Sequence, residues 1–477
     1  MQPLSPLDAA FVAFETEGAP LHVAAVLVLE DPSPTPRSAE EAYAAIRAMI
    51  ERRIHLVPVM RQRVIQGPLG AAPPVRADDP DFDLNNHLGR AALPSPGGVK
   101  ELEAYVGRIM SRPMFLDRPL WEMLFIEGLE GGKFALMARF HHAVLDGISG
   151  AHILAEFFDL TMEPREVEAS GPWLPEPVPT QQELLNGAGA AWVKQPIIVA
   201  EAVARTATSL LRAIDHNHAL GEGKTRPTSL LAAPKTSING TISGQRSYAC
   251  VNLDFSEVKR VGKALGATVT DVVMALTAGA LNRLMEARGE VYEQDLVAMV
   301  PVSTRPESEI GSLGNQISTM LVGLATTMAD PKARIASIRA SAQAAKEQDR
   351  VLGSQLVVDL TQLLPPFLAN LLTRGAHNLK IFDHIPPVGN VLVSSVPGPD
   401  FPLWCGGLRI ATLYPVGPIA ATIGLNVTAM RYLDHISLGF LACHKLVPDL
   451  EEFASMAEDA FDELRDAADG LTASATA

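Results

Sequence analysis

Apolar positions recur along the chain with the periods of both helices and strands. Ser38 and Glu41 have the spacing of a capping box, and apolar positions at helical spacing follow them, which predicts a helix to about Ile54. A second helix is predicted over Glu101–Met110. Phe134–Phe140 is an almost wholly apolar run, which is typical of a buried strand. Helices and strands are therefore mixed in the first part of the chain.

Two adjacent histidines follow this strand, in the segment HHAVLDG at residues 141–147. Helical spacing resumes at about Ile148, so we predict that the segment lies on a turn between a strand and a helix. Such a turn lets a rigid scaffold present side chains into a cleft.

A second series of elements follows residue 234. Strands are predicted near residues 248–255, 296–302, 317–324, 390–395, 408–414, 421–430 and 436–441, and helices begin at Ser256, Thr270, Pro331 and Pro448. Strands mixed with helices in both halves indicate an α/β layered architecture.

The length of the chain indicates more than one domain. A single core usually stops growing before 477 residues. A proline-rich, helical and then polar stretch lies at 171–234 and has the character of a linker. We therefore predict an N-terminal domain at 1–180, a helical crossover linker at 181–234 and a C-terminal domain at 235–477.

The composition excludes several classes of protein. Apolar residues make up 47% of the chain and charged residues 19%, which excludes disorder. The mean hydropathy is slightly positive, so we expect a large internal apolar cavity, an oily surface patch, or both. The net charge of −15 argues against a nucleic-acid partner and weakens simple electrostatic docking on anionic lipid.

The three cysteines are odd in number and lack the paired spacing of metal ligands, so we expect reduced thiols and no metal site. The first ten residues lack a basic stretch followed by an apolar one, so no secretory signal is predicted. We expect a cytoplasmic protein.

The oiliest segment, Gln355–Thr373, contains Pro365 and Pro366 in its middle. Its length is barely enough to cross a bilayer, and the prolines would leave backbone groups unsatisfied in lipid. Two alternatives stay open, namely a helix pair packed in the core or over a pocket, and attachment to a membrane surface.

The histidine segment is the strongest candidate for chemistry. Neighbouring side chains on a strand point to opposite sides, so only one of His141 and His142 faces a given cleft. A neutral imidazole takes a proton from an alcohol near neutral pH, which suits acyl transfer to a hydroxyl. The alternative interpretations of the histidine pair are packing in the core and a chance position on the surface without a function. No Gly-x-Ser-x-Gly segment offers a serine nucleophile, and Cys250 and Cys443 lie in predicted strands, where packing is the expected role.

Residues 141–147 match the HHxxxDG motif of the CoA-dependent acyltransferase superfamily, which includes chloramphenicol and carnitine acyltransferases and peptide-synthetase condensation domains. Further segments resemble the bacterial wax ester synthase/diacylglycerol acyltransferase family. They are Leu4–Asp8, Arg118–Trp121, Asn239–Gly244, Pro301–Arg305, Gly314–Ser318 and Val396–Pro399. Because these segments occur in order, the resemblance covers nearly the whole chain.

The resemblance implies two chloramphenicol-acetyltransferase-like domains with mixed sheets and an active site in a channel between them. It implies that His142 is the catalytic base and that His141 is structural. Asp146 would pair with Arg305 and hold the turn, together with Gly147.

Other site residues follow from the same resemblance. Where the family usually has Asn-Asp, this chain has Thr270 and Asp271. Thr270 can cap a helix but cannot donate an amide N–H to an oxyanion, so we expect both residues to be mainly structural. Ser303, Asn315 and Trp121 are candidates for lining the site, and lining is also the alternative role for Thr270. Trp121 is alternatively a packing corner.

The expected reaction is transfer of a long-chain fatty acyl group from acyl-CoA to diacylglycerol, with fatty alcohol as an alternative acceptor. Acyl-CoA is a substrate, and no cofactor is expected. The expected partners are these lipids, together with a peripheral contact on the inner membrane or lipid droplets. The competing interpretations are a carrier-protein-dependent acyltransferase and a non-catalytic lipid-binding protein.

Overall fold

The computed structural model describes the chain over residues 2–16, 18–67, 72–144, 153, 155–168, 171–186, 199–206, 208, 225–229, 232–303, 317–352 and 366–476. The strands are β1 (Gln2–Pro3), β2 (His22–Glu30), β3 (Gln62–Ile65), β4 (Val75–Asp78), β5 (Leu88–Ala92), β6 (Trp121–Glu127), β7 (Phe134–His141), β8 (Arg246–Asp254), β9 (Val297–Ser303), β10 (Ile317–Gly323), β11 (Val391–Val396), β12 (Trp404–Cys405), β13 (Leu408–Val416), β14 (Leu425–Tyr432) and β15 (His435–Cys443). The helices are α1 (Pro6–Phe14), α2 (Ala39–Arg53), α3 (Val99–Met110), α4 (Phe255–Ala264), α5 (Val269–Ala287), α6 (Pro331–Leu352), α7 (Pro366–Asn378) and α8 (Leu450–Thr476).

The first large sheet has the strand order β12-β13-β2-β7-β6-β5 and is mixed, because β5 and β6 run parallel while the other pairs are antiparallel. Every residue of β7 is buried, which confirms the buried strand expected over Phe134–Phe140. The register places His22 of β2 directly opposite His141 at the end of β7. Two imidazoles therefore meet where two central strands of this sheet begin and end.

Strands β12 and β13 reach this sheet from the second half of the chain. Strand β13 pairs antiparallel with β2 along nearly its whole length. A buried ion pair supports the junction, since Arg53 Nη2 lies 2.7 Å from Asp159 Oδ1. The backbone of Asp159 in turn exchanges hydrogen bonds of 2.8 and 2.9 Å with Trp404. The predicted domain boundaries by residue number stay a prediction, but the first sheet takes strands from both predicted domains.

The second large sheet has the order β10-β9-β11-β14-β15-β8 and is also mixed, since β11 runs parallel to β9 and β14. Helices α4, α5, α6 and α8 contribute to one apolar core with this sheet. The architecture is thus α/β with two mixed sheets in two domains, as the sequence predicted.

Helix α3 connects the two sheets. Its Tyr105 and Val106 share an apolar cluster with Met137 of β7 and Tyr248 of β8. A Cβ added at Gly107 would lie 3.0 Å from a backbone carbonyl of β8, so glycine permits this close approach.

Most predicted elements lie within a few residues of their observed bounds. The capping box of α2 is present, with Ser38 as the N-cap and Glu41 as its partner. The predicted cap of α5 was wrong, because Thr268, not Thr270, is the N-cap and forms the capping box with Asp271. Thr268 has the extended backbone that an N-cap needs, while Thr270 is already helical.

Parts of the linker and of the oily segment are described. Residues 181–186 and 199–206 are helical, while the helical crossover linker stays a prediction, and Pro366 begins α7. The first part of the oily segment, 355–365, lies outside the described residues.

Among the described helices, none is by itself long and apolar enough to cross a bilayer. One bent pair, α4 with α5 at 91°, meets the criteria of length and composition. The cysteines in the structure are free thiols.

Candidate active site

Backbone hydrogen bonds hold the start of the turn that follows β7. The N–H of His141 donates to the carbonyl of Leu120 at 3.0 Å. The N–H of His142 donates to the carbonyl of Leu21 at 2.9 Å. The backbone of each histidine is thereby bonded to a neighbouring chain segment, independently of its side-chain contacts.

Ala143 and Val144 are also held by hydrogen bonds, one from within the turn and one from outside it. The N–H of Val144 donates back to the carbonyl of His141 at 2.9 Å. Arg76 Nη2 donates to the carbonyl of Ala143 at 3.4 Å. Burial lowers the pKa of the Arg76 guanidinium, and the charge of Asp8 opposes that shift. Hydrogen bonds to three other chain segments therefore hold described residues 141–144 in place.

The His141 ring is fully buried and contacts both its own turn and α1. Its Nδ1 accepts the N–H of Ala143 at 3.0 Å, and its Nε2 lies 3.2 Å from Glu15 Oε2. Because Nδ1 accepts, the neutral ring carries its proton on Nε2 and donates it to the carboxylate.

Glu15 lies between His141 and His22. Its Oε1 is 3.1 Å from His22 Nε2, although the angle is not that of a hydrogen bond. Burial raises the pKa of Glu15, but the two imidazoles outweigh burial and hold its pKa well below the usual range. Burial lowers the pKa of His22 to about 4, against the opposing effect of Glu15. At neutral pH the structure therefore favours a charged carboxylate beside a neutral His22.

The same three side chains have the chemistry of a metal site, since one ligand atom from each of Glu15, His22 and His141 lies within 4.8 Å of the others. The hydrogen bond from Ala143 to Nδ1 of His141 argues against that role. It leaves the proton on the nitrogen that faces Glu15, where a metal would need a lone pair.

The His142 side chain is half-buried, unlike the fully buried His141. Its ring stacks on Phe11 of α1, with centroids 4.3 Å apart and an angle of 24° between the planes. Phe11 and Glu15 are one helical turn apart, so the same end of α1 contacts both histidines.

Several predicted site residues lie outside the described residues, namely Asp146, Gly147, Arg305 and Asn315. Ser303 is the last residue of β9, and its backbone pairs with Ile317 across the sheet. Thr270 lies in the first turn of α5 and is half-buried. The roles suggested for these residues stay predictions.

Trp121 has the surroundings of a packing corner. Its indole is 3% exposed, and its Nε1 donates to the carbonyl of Met60 at 2.7 Å. The ring stacks on His87 with centroids 4.6 Å apart. These contacts fit the packing alternative given in the sequence analysis.

The sequence interpretation missed Glu15, His22 and Phe11. A local signal for Glu15 was available, because Ser5 and Pro6 begin a short helix that ends just before it. The meeting of Glu15 with His141, 126 residues away, depends on the packing of α1 as well as on the pairing of β2 with β7.

Comparison with known proteins decides the family. A family model described as the wax ester synthase/diacylglycerol acyltransferase catalytic domain matches residues 4–273, and one described as the WS/DGAT C-terminal domain matches residues 313–465. The chain belongs to the WS/DGAT family. Two relatives from Mycobacterium tuberculosis, strain CDC 1551, carry the provisional name of diacylglycerol O-acyltransferase. The first relative is 34% identical, and the match covers 98% of this chain and 91% of the relative. The second is 33% identical, and the match covers all of this chain and 98% of the relative.

Solved structures agree with the family. The wax ester synthase/diacylglycerol acyltransferase from Marinobacter aquaeolei VT8 has a TM-score of 0.68 and 26% identity, and the match covers 98% of this chain and all of that one. The starter condensation domain of rhizomide synthetase, at 15% identity and a TM-score of 0.55, shares the fold. As a member of the WS/DGAT family, the chain is an acyltransferase.

Proposed function

We propose that this acyltransferase moves a long-chain fatty acyl group from acyl-CoA to the free hydroxyl of diacylglycerol, with His142 as the general base. The proposal rests on one observation, the hydrogen-bonded turn that holds His142 half-buried while the ring of His141 is engaged with Glu15 and Ala143. The provisional names of the relatives support diacylglycerol as the acceptor.

In the proposed step, His142 accepts the hydroxyl proton as the oxygen attacks the thioester carbonyl carbon. The tetrahedral intermediate then collapses with cleavage of the carbon–sulfur bond, and the imidazolium returns the proton to the leaving thiolate. The products are triacylglycerol and free CoA, and no acyl-enzyme forms.

The test is release of free CoA from palmitoyl-CoA by wild type and His142→Ala, with 1,2-diacylglycerol or hexadecanol as acceptor. We expect turnover with diacylglycerol and a loss of at least about a hundredfold in the variant, at equal thermal stability. Full activity in the folded variant overturns the role of His142. Faster turnover with hexadecanol makes fatty alcohol, the wax-ester acceptor, the principal substrate. Turnover only with an acyl carrier protein as donor overturns acyl-CoA, and no turnover with either donor favours a lipid-binding protein.

We also propose that the enzyme meets its lipid acceptor at a membrane surface through the end of α7 and the segment after it. The exposed apolar side chains of this α7 surface are Leu371, Leu372, Leu379, Ile381, Ile385 and Val388. Exposed apolar side chains concentrated in one stretch of the chain are typical of an interaction site.

The charge of the α7 surface suits anionic lipid. Between residues 366 and 388 the chain has Arg374 and Lys380 against one acidic residue, Asp383, although the whole chain has a net charge of −15. The surface adjoins the candidate site, because Asn370 Nδ2 donates to the carbonyl of Ala13 in α1 at 2.8 Å. Apolar contact combined with local positive charge is the usual chemistry of peripheral membrane binding.

Flotation with phosphatidylcholine vesicles, with and without phosphatidylglycerol, tests this surface. We expect wild type to float with the anionic vesicles and to be released by salt, and Leu371→Ser/Leu379→Ser to stay at the bottom. Val291→Ser, at a side chain that is 91% exposed elsewhere, is the matched control and should float as wild type does. Equal flotation of the double variant overturns the assignment of the surface.

A further inference from the structure

The carboxylate of Glu15 connects to both histidines of the turn. One oxygen, Oε2, lies 3.2 Å from Nε2 of His141. The other, Oε1, accepts the N–H of Leu21 at 3.3 Å, and the carbonyl of Leu21 accepts the N–H of His142 at 2.9 Å. One side chain thus supports the ring of the first histidine and the segment that holds the second.

The position of Glu15 is itself fixed by α1. Glu15 is the C-cap residue of α1, and its N–H donates to the carbonyl of Phe11 at 3.2 Å. Ser5 caps the other end of this helix by accepting the N–H of Asp8 at 3.1 Å. A short helix that is capped at both ends therefore carries both Glu15 and the ring that stacks on His142.

The proton on His141 makes the contact specific for a carboxylate. Nδ1 of His141 accepts from Ala143, so Nε2 donates toward Glu15. The N–H of Leu21 also donates toward Glu15. Two donors converge on one side chain, and a carboxylate accepts at both oxygens, whereas an amide accepts at only one of its two ends.

We propose that Glu15 is a positioning residue for acyl transfer, which holds the turn so that His142 meets the acceptor hydroxyl and thioester in a reactive geometry. The proposal rests on the proposed role of His142 as the base. Glu15 touches no reacting atom in this scheme and acts through His141 and Leu21. A displacement of about 1 Å at a catalytic group can cost about a hundredfold in rate.

The first test compares Glu15→Gln with His142→Ala and wild type in the assay of CoA release. We expect Glu15→Gln to lower kcat about tenfold to a hundredfold, with KM for acyl-CoA within about twofold of wild type and a nearly unchanged melting temperature. Glu40→Gln is the control, because Glu40 is an arginine-paired carboxylate whose side chain is 74% exposed, and its kcat should match wild type.

The outcomes separate the two proposals. If His142→Ala loses activity and Glu15→Gln keeps kcat within about twofold of wild type, or changes KM alone, the positioning role is wrong and the general base stands. If folded His142→Ala keeps full activity, the proposed base is wrong, whatever Glu15→Gln does.

A second measurement does not depend on a folded Glu15 variant. Nitrogen NMR of wild type labelled at its histidine rings reports which nitrogen carries the proton, and the signal missing in His141→Asn assigns His141. We expect the neutral ring of His141 to carry its proton on Nε2. A proton on Nδ1 instead would remove the donor that the proposal needs and overturn it.

Discussion

Phe11 stacks on His142, with ring centroids 4.3 Å apart and an angle of 24° between the planes. One face of the imidazole is therefore covered by an apolar ring, and a reacting hydroxyl must approach the edge of the ring, where the nitrogens are. The stack also limits rotation of the His142 side chain about its bonds to the backbone, because rotation would separate the rings.

Replacing the ring should weaken catalysis without unfolding the protein. We expect Phe11→Leu to lower kcat about threefold to tenfold, since an aromatic pair contributes about 0.5–1.5 kcal/mol beyond its burial. Phe14→Leu, at a 39% exposed position on the same helix, is the control and should leave kcat unchanged. An unchanged kcat for Phe11→Leu in the CoA-release assay would show that the stack does not orient His142.

The correction of the α5 cap gives a matched pair of threonine variants. We expect Thr268→Ala to lower the free energy of unfolding by about 1 kcal/mol, because it removes the side chain that accepts the N–H of Asp271. Thr270→Ala should cost less, because Thr270 is not the cap. Urea unfolding of both variants checks the order, and a larger loss for Thr270→Ala would contradict it. A loss of kcat in Thr270→Ala alone would favour the predicted lining role.

His22 should make the stability of the protein depend on pH. Its pKa is about 4 in the folded chain and about 6.5 when unfolded, so between these values the unfolded state binds an extra proton. The free energy of unfolding should therefore rise with pH from 4 to 6.5, by no more than about 3 kcal/mol from this group. Glu15 adds a further loss of stability at lower pH, because its pKa is lowered in the folded chain and its contribution is lost as the pH falls below about 4.5.

Urea unfolding of wild type and His22→Gln across this range measures the contribution of His22. The variant should show a shallower rise between pH 4 and 6.5. His435→Gln, at a histidine whose side chain is 47% exposed, should keep the wild-type slope. Parallel slopes for wild type and His22→Gln would show that the pKa of His22 is not depressed in the folded protein.

The buried ion pair of Arg53 and Asp159 offers a test of the junction at β12. Both side chains are 2% exposed, so Arg53→Met leaves an uncompensated buried carboxylate. We expect a loss of about 3–5 kcal/mol in the free energy of unfolding. Arg47→Met breaks an exposed pair with Glu51 on the same helix and should cost less than about 1 kcal/mol. If Arg53→Met and Arg47→Met lose equal free energies of unfolding in urea, burial does not determine the contribution of these ion pairs.

The sequence predicted those elements whose pattern is local. The capping box at Ser38 and the apolar run of β7 were sufficient to predict α2 and β7. Strand β2 was missed, since its run HVAAVLVLE is rich in alanine, valine and leucine and has no period that separates a buried strand from a helix.

The candidate site was predicted only in part, for a physical reason. The motif at 141–147 made His142 a candidate, because its residues are contiguous in the chain. Glu15 and His22 join the site through the pairing of β2 with β7 and the packing of α1, and both depend on tertiary contacts between segments more than a hundred residues apart. The N-cap of α5 was predicted wrongly for another reason. Thr268 and Thr270 both have a side chain that can cap a helix, so residue type does not distinguish them.

Strand β13, which pairs with β2 in the first sheet, lies at residues 408–416 of a chain of 477. During synthesis, β2 leaves the ribosome hundreds of residues before its partner exists. Until β13 is synthesised, the backbone groups along one edge of β2 are unpaired, and unpaired strand edges promote aggregation. A nascent chain that stops before residue 408 therefore cannot complete the sheet that carries the histidines. Expression of the N-terminal half alone should yield an insoluble or chaperone-bound product.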